Sequence, residues 1–309
     1  MSKFPFPITP ELTAIAIAYR NPALIADSVL PYVPVGKKEF KYLSYEKSDK
    51  FTLPDTYVGR KSSPNQVEFG ATEITQSVVD YGLDDVVPQD DIDNAPPNYN
   101  PLGYATETIM DLVLLDREKR VADLVFNASN YSAAANKATL AGSDQWSHAS
   151  SHPIKKILDA LDNCIMRPNV MVIGNAAWGA LRTHADIVKA VNKTGGDTGI
   201  ASRLQIAELF ELEEILVGQG WRNTSKKGQT ASYSRIWTDS CALIYRNRMA
   251  NTQGGITFGL TARFGSRVAG SMLEPNIGLR GSTKVRAGES VKELILANDL
   301  GYLFSDCIA

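Results

Sequence analysis

The chain has 309 residues, 44% of them hydrophobic, enough to bury one large core or two smaller ones, which excludes disorder of the chain as a whole. Its 32 basic and 34 acidic residues nearly cancel, so no global field favours tight binding to nucleic acid or to an anionic membrane, and any contact with DNA must be local. The apolar run near the start, Leu12 to Ala18, is too short to span a bilayer and lacks a signal-peptide pattern; the glycosylation-like triplets at Asn127, Asn130 and Asn192 then carry no weight.

Six prolines (Pro5, Pro7, Pro10, Pro22, Pro31 and Pro34) forbid a long helix in the first 35 residues and favour an extended arm with one helical turn. Residues 37–45 and 66–81 are rich in β-branched and aromatic side chains in partial alternation. The stretch between them, with Pro54-Asp55, Gly59 and Ser62-Ser63-Pro64, forms turns, which predicts a long two-stranded excursion. An isolated ribbon of this kind is marginal in water, so it needs another surface to lie on. After Pro96-Pro97, residues 101–128 read as a helix, with Ile109, Leu112 and Val113 before a charged centre and Val121, Leu124 and Val125 after it. Asp116 and Arg120 stand four apart with the acid first, the stabilising order. At about 1.5 Å per residue the helix spans roughly 40 Å, a length that suits a strut.

A polar stretch from Asn127 to Ser151 leads to a second unit of α/β character. His152-Pro153 opens a helix with Ile154, Ile157, Leu158, Leu161 and Ile165 on one face. Residues 170–173 read as a short buried strand, and Asn175 is expected to cap a helix carrying Trp178, Leu181, Ile187, Val188 and Val191. Residues 195–199 form a loop, followed by a short helix near 204–210 and strands near 215–217, 234–245 and 256–264. The tail, residues 291–307, is strand-like again, and neither an internal repeat nor a low-complexity tract occurs.

The chemistry needed for catalysis is sparse. The three cysteines, Cys164, Cys241 and Cys307, sit far apart in apolar contexts and read as small core residues. His148 and His152 have a spacing that could bind metal on a helix, but with no nearby Cys or Glu a loop or capping role is expected; His184 reads as a packing or surface residue. The glycine-rich segment at 195–199 lacks the Gly-Lys-Ser/Thr ending of a phosphate loop and follows a helix instead of a strand, and no nucleophile elbow occurs. No cofactor or metal is implied.

Charge is segregated. Residues 62–116 hold eleven Asp or Glu and no Lys or Arg, whereas residues 222–286 hold eleven Lys or Arg against Asp239 and Glu274. Such blocks either attract one another between copies of the chain or form two solvated faces of one monomer. In the first case the contacts come from Glu68, Glu73, Asp84, Asp85, Asp90 and Asp91 on one side. Arg222, Lys226, Lys227, Arg246, Arg248, Arg263 and Arg267 answer them on the other.

The order of arm, β excursion, long helix, α/β unit and terminal strands resembles the Hong Kong 97 type fold of tailed-phage major capsid proteins. Local wording agrees. Residues 26–35 (ADSVLPYVPV) look like the family's arm and 115–120 (LDREKR) like its spine helix. Residues 167–174 (RPNVMVIG) with Trp178 and Leu181, 236–239 (IWTD) and 257–259 (TFG) look like its axial domain, and 299–304 (DLGYLF) is similar to its closing strand. The nearest likeness is to the Mu-like or lambda-like temperate phages of Pseudomonas hosts.

The resemblance implies an α+β subunit divided into an N-terminal arm (1–35), an extended β loop (36–86), a peripheral domain with the spine helix (87–152), an axial domain (153–285) and terminal strands returning to the peripheral domain (286–309). It further implies hexamers and pentamers closing into an icosahedral shell around double-stranded DNA, with a portal and a decoration or minor capsid protein as partners, no membrane, and assembly in the host cytoplasm. Because Met1 leads directly into the proline-rich segment, a separate scaffolding protein is expected. One relative cross-links its subunits from a loop lysine to an asparagine with the help of a carboxylate. Here Lys47, Lys50 and Lys61 lie in or beside the loop tip without a complete set of partners, so no covalent cross-link is expected. Two other readings stay open: an encapsulin-type compartment of the same fold, and an α/β enzyme without a recognisable motif.

Overall fold

The described residues of the computed structural model are 6–45, 52–67, 71–131, 134–192, 196, 198–226 and 228–309. Proline shapes the opening segment without leaving it extended. Pro10 takes the first helical position of α1 (Pro10–Ala18), where its missing N–H has no partner to lose, and Leu12 and Ala16 are buried. One turn of helix, α2 (Ala26–Val29), precedes β1 (Tyr32–Val35), which pairs in parallel with β11 (Gly259–Phe264). Pro34 is tolerated because β1 is an edge strand. The expected extended arm is thus corrected over residues 9–35: a helix start and a sheet edge are the two places where proline costs least, and the segment folds onto its own chain.

The expected excursion is present as the antiparallel pair β2 (Glu39–Tyr45) and β3 (Ala71–Ser77), with Glu39 opposite Ser77. Phe40 and Val78 at its base are buried among Val33, Val35, Leu260 and Leu294, the surface that a ribbon needs. The excursion ends eight residues earlier than expected, because β4 (Val79–Pro88) leaves it to run antiparallel along β13 (Ser282–Ile295), from Val79 opposite Val291 to Pro88 opposite Ser282. A short helix, α3 (Gln89–Asp93), follows.

Asn100 starts the long helix α4 (Pro101–Val125), its side chain accepting from the N–H groups of Leu102 and Gly103, both at 3.1 Å. Burial recurs at helical spacing through Ala105, Ile109, Val113, Val121 and Val125. The helix stops three residues short of position 128 because the Asn127 side chain captures the Ser129 N–H at 2.9 Å and opens a 3-10 turn. No helix among the described residues is long and apolar enough to cross a membrane.

The first five-stranded sheet runs β1-β11-β13-β12, with β12 (Val268–Glu274) beside β13 and β4 also paired to β13. α1 and α4 cover it, packing Leu12, Ala16, Ile109 and Met110 on Ala269, Val285 and Ala287. The second sheet runs β5-β14-β10-β6-β7, from β5 (Lys137–Thr139), β14 (Gly301–Ser305), β10 (Cys241–Ile244), β6 (Val170–Gly174) and β7 (Glu214–Gly218). Helices α5 (Pro153–Asn163), α6 (Asn175–Thr183), α7 (Ala185–Val191) and α8 (Arg203–Phe210) surround one face, where Met171 and Ile173 meet Ile157, Leu161 and Phe210. Val170 and Val172 point the other way, towards Val121, Val125 and Trp237. Burial on both faces explains why residues 170–173 are apolar without alternation. A separate ribbon, β8 (Trp221–Asn223) with β9 (Tyr233–Arg235), pairs only with itself.

Topology moves two boundaries read from sequence. β11 and β12, assigned to the unit ending at 285, belong to the first sheet, and β14, expected to return to that sheet, joins the second. The run 234–245 splits into β9 and β10, and Asn175 is the first residue of α6, with Gly174 at the cap position. Only glycine fits there: a Cβ on Gly174 would lie 1.6 Å from the Thr238 carbonyl oxygen. Gly174→Ala is therefore expected to lower stability by about 2–3 kcal/mol, read from the urea midpoint at constant slope; an unmoved midpoint would mean that the Thr238 turn yields freely.

The three cysteines are free and buried. Burial pushes the Cys164 thiol up to about 11 and raises those of Cys241 and Cys307 as well, which keeps all three neutral and unreactive. Each histidine is engaged locally: His148 Nδ1 lies 2.8 Å from Ser150 Oγ and His152 Nδ1 lies 3.1 Å from Asp186, while the buried His184 caps α7 by accepting from the Asp186 N–H.

Candidate assembly surfaces

The buried face of α4 carries two charges. Glu118 accepts hydrogen bonds from the backbone N–H groups of Ile25 (2.9 Å) and Ala26 (2.7 Å) and from Trp237 Nε1 (2.6 Å). Burial holds its carboxyl above the usual range even though all three donors pull the other way. Arg117 lies 2.6 Å from Asp27 and 3.9 Å from both Glu289 and Glu293, with its guanidinium 4.0 Å from the centroid of the Tyr32 ring. Arg120 reaches Glu293 at 2.9 Å. Arg267 reaches Glu289 at 3.4 Å and donates to the carbonyls of Ala16 (3.1 Å) and Tyr19 (2.9 Å), at the negative end of α1.

Segments far apart in sequence thus close one buried ionic network. Such a network specifies geometry more than it adds stability, but removing one partner leaves an uncompensated charge or donor. It fixes α1, α2 and β1 against α4 and β13. Sequence reasoning missed it, although a signal was there: Glu289 and Glu293 share the inward face of β13 with Val285, Ala287 and Val291, and Glu118 falls on the stripe of Leu114, Val121 and Val125.

The charge blocks meet at two points within one chain, beside the pairing of β4 with β13. Asp84 forms a two-pronged pair with Arg286 (2.6 and 2.7 Å), and Asp90 lies 3.3 Å from Arg280. Glu73 pairs with Lys41 at 2.6 Å across the excursion, and Asp85 and Asp91 are exposed without a cationic partner among the described residues. Arg246, bonded to Glu214 at 2.7 Å, and Arg267 are buried, which corrects their assignment to a contact between copies: neither reaches the surface. Arg248 is exposed beside Glu214 at 3.2 Å, and Arg263 lies 4.5 Å over the Tyr32 ring. Arg222, Lys226 and Lys61 are exposed, while Glu68, Lys227, Lys47 and Lys50 lie outside the described residues.

The Arg286 pair holds the Asp84 carboxyl below its ordinary range. With the folded value depressed, the contribution is fully present above the unfolded value, about pH 4, and is lost as pH falls through the lower folded one. Asp84→Asn is expected to flatten this part of the acid limb in denaturation midpoints followed down to about pH 2. An identical limb in the variant would show that solvent screens the pair completely.

The described residues of the excursion tip are exposed and include apolar side chains that the chain leaves uncovered: Leu53 is 96% and Tyr57 82% exposed. Apolar residues held out on a ribbon mark an interaction surface.

The chain is similar to known proteins. Residues 125–262 match the family model described as phage major capsid protein E. The chain is 57% identical over 309 residues to the major capsid protein of Pseudomonas phage JBD67, covering 100% of both. Among solved structures, a phage-related protein from Bordetella bronchiseptica RB50 aligns with a TM-score of 0.76 at 22% identity, covering 98% of each chain. The capsid of cyanophage P-SCSP1u aligns at 0.56 and 10% identity, covering 99% of this chain and 90% of that one. These two likenesses show the fold, which is that of the Hong Kong 97 type capsid proteins. Identity along the full length to a phage shell subunit, on a fold that phage shells share, means that the chain belongs to the major capsid proteins of tailed bacteriophages.

Proposed function

We propose that copies of this chain associate as hexamers and pentamers into an icosahedral head enclosing double-stranded DNA. Assembly takes place in the host cytoplasm around a separate scaffolding protein, with a portal and a decoration or minor capsid protein as further partners, and the role is structural without catalysis. The first sheet with α1 and α4 serves as the peripheral domain, and the second sheet with α5 to α8 as the axial domain. The observation that carries this reading is the β2–β3 ribbon, whose base is packed and whose apolar tip is not. A neighbouring copy supplies the missing cover. The test is electron microscopy with size-exclusion chromatography, with and without scaffold: closed shells are expected, and a monodisperse monomer under all conditions would overturn the reading. Shells holding DNA support a phage head, whereas shells holding a cargo enzyme would favour the encapsulin alternative. Boiled denaturing gels of mature particles are expected to show one band at the chain mass.

The exposed acids Asp85 and Asp91 steer encounters between copies, towards basic groups such as Arg248 and Arg263. Single exposed pairs contribute only about 0–1 kcal/mol, so repetition over every interface carries the effect. Screening shortens from about 10 Å at 0.1 M salt to about 3 Å at 1 M, so assembly followed by light scattering is expected to slow with salt while finished shells persist. Reversing Asp85 and Asp91 together should slow assembly more than reversing Asp159 and Asp162 on α5. Equal rates for the two double variants across that range would remove the steering role.

A further inference from the structure

Once placed, the basic residues of the 222–286 block divide into two kinds. Arg246, Arg248, Arg267, Arg280, Lys284 and Arg286 each have a carboxylate of the same chain within 3.5 Å. Arg222, Lys226 and Arg235, on or beside the β8–β9 ribbon, have none among the described residues, and neither does Arg263 on β11. Residues 215–238 contain no Asp or Glu at all, so the positive charge of the ribbon is uncompensated locally.

The ribbon is built and not merely loose. Its root is tied to the core, with the Ile236 N–H donating to the Gly220 carbonyl at 3.0 Å and the next residue, Trp237, bonded to Glu118. Beyond the strands, Asn223 Oδ1 accepts from the N–H groups of Ser225 (3.0 Å) and Ser232 (3.2 Å), and Ser225 Oγ donates to the Thr230 carbonyl at 2.7 Å. The Arg235 guanidinium lies 4.1 Å from the centroid of the Trp221 ring, which orients it. Thr230 and Ser232 are exposed at the same end, and Tyr233 is 67% exposed.

We propose that this ribbon is a contact site for the phosphodiester backbone of double-stranded DNA, an inference that rests on the reading of the chain as a shell enclosing such DNA. A two-stranded β-ribbon matches the width of the major groove. Cations beside the exposed hydroxyls of Thr230, Ser232 and Tyr233, with no carboxylate among them, suit phosphate oxygens and carry no sequence preference. Each site is weak and many copies act together, so the genome is held along the wall but remains free to leave. The near-zero net charge of the whole chain is consistent with this, since the contact is local. An acidic polypeptide would meet the same cations without using the groove-sized ribbon or the hydroxyls.

The experiment measures binding of a labelled random-sequence duplex to the full-length subunit by fluorescence anisotropy across a salt series. The variants are R222Q/K226Q and the charge-keeping R222K/K226R. The log–log salt slope is expected to fall by about 2 in the glutamine variant, close to 0.9 for each lost phosphate contact, with at least roughly a tenfold loss of affinity at low salt. The charge-keeping variant should bind as the parent does. Unchanged duplex binding by the glutamine variant would overturn the proposal. So would displacement of the duplex by polyglutamate at equal charge, if polyglutamate binding is itself lost in that variant, because the ribbon would then be a site for an acidic protein. Microscopy of the same variants separates the two readings: normal shells with weakened duplex binding support the ribbon as a DNA contact, and lost shells with normal duplex binding sink it. Failure of the parent chain to form shells would count against the shell reading alone, since the duplex measurement on the subunit decides the ribbon by itself.

Discussion

Glu118→Ala is expected to destabilise the chain by about 3–5 kcal/mol, because it leaves three buried donors without an acceptor. Those donors are the N–H groups of Ile25 and Ala26 and the indole of Trp237, so the loss reaches α2, the root of the β8–β9 ribbon and one face of the second sheet together. Glu118→Gln keeps the shape and one acceptor oxygen, and should cost less than the alanine variant. The two variants also separate charge from geometry. Burial raises the Glu118 carboxyl, so the folded state takes up this proton first as pH falls. Its stability contribution is therefore largest below the unfolded value, about pH 4, and declines as pH rises through the raised folded value. Glu118→Gln should abolish that slope. Urea midpoints at constant slope read the effect, and a shift in the alanine variant worth less than about 1 kcal/mol would mean that water takes over the carboxylate's role.

Replacing residues 53–66 by a short glycine-serine linker is expected to abolish shells while leaving the denaturation midpoint within about 0.5 kcal/mol of the parent. The midpoint is spared because Leu53, Tyr57 and Val58 are exposed, whereas the side chains that anchor the ribbon, Phe40 and Val78, lie outside the replaced stretch. Assembly suffers because the tip offers apolar surface that only another molecule can cover. Normal shells from this variant, seen by microscopy, would remove the tip from the assembly mechanism; a large loss of stability would show instead that the tip belongs to the monomer core.

The sequence by itself determined whatever depends on a few neighbouring residues. Asn100-Pro101 begins a helix because a capping side chain and a proline at the first position need no distant partner. The unbroken apolar run at 170–173 announces a strand buried on both faces, and the β-rich segments flanking Pro54 to Pro64 announce a ribbon. The family was legible for the same reason, since short stretches in a fixed order survive as local wording. Tertiary structure alone decided which sheet each strand joins, because β-pairing is made across the chain: β1 finds β11 and β4 finds β13 some two hundred residues on. It also decided the fate of the charges. Arg267 and Arg246 look like any surface cations in sequence, yet they are buried beside Glu289 and Glu214. Two acids of the acidic block pair with the basic block, Asp84 with Arg286 where β4 lies along β13 and Asp90 with Arg280, leaving Arg222, Lys226, Arg235 and Arg263 as cations that no carboxylate answers among the described residues. Coulomb interactions follow distance in space, and sequence separation does not report it.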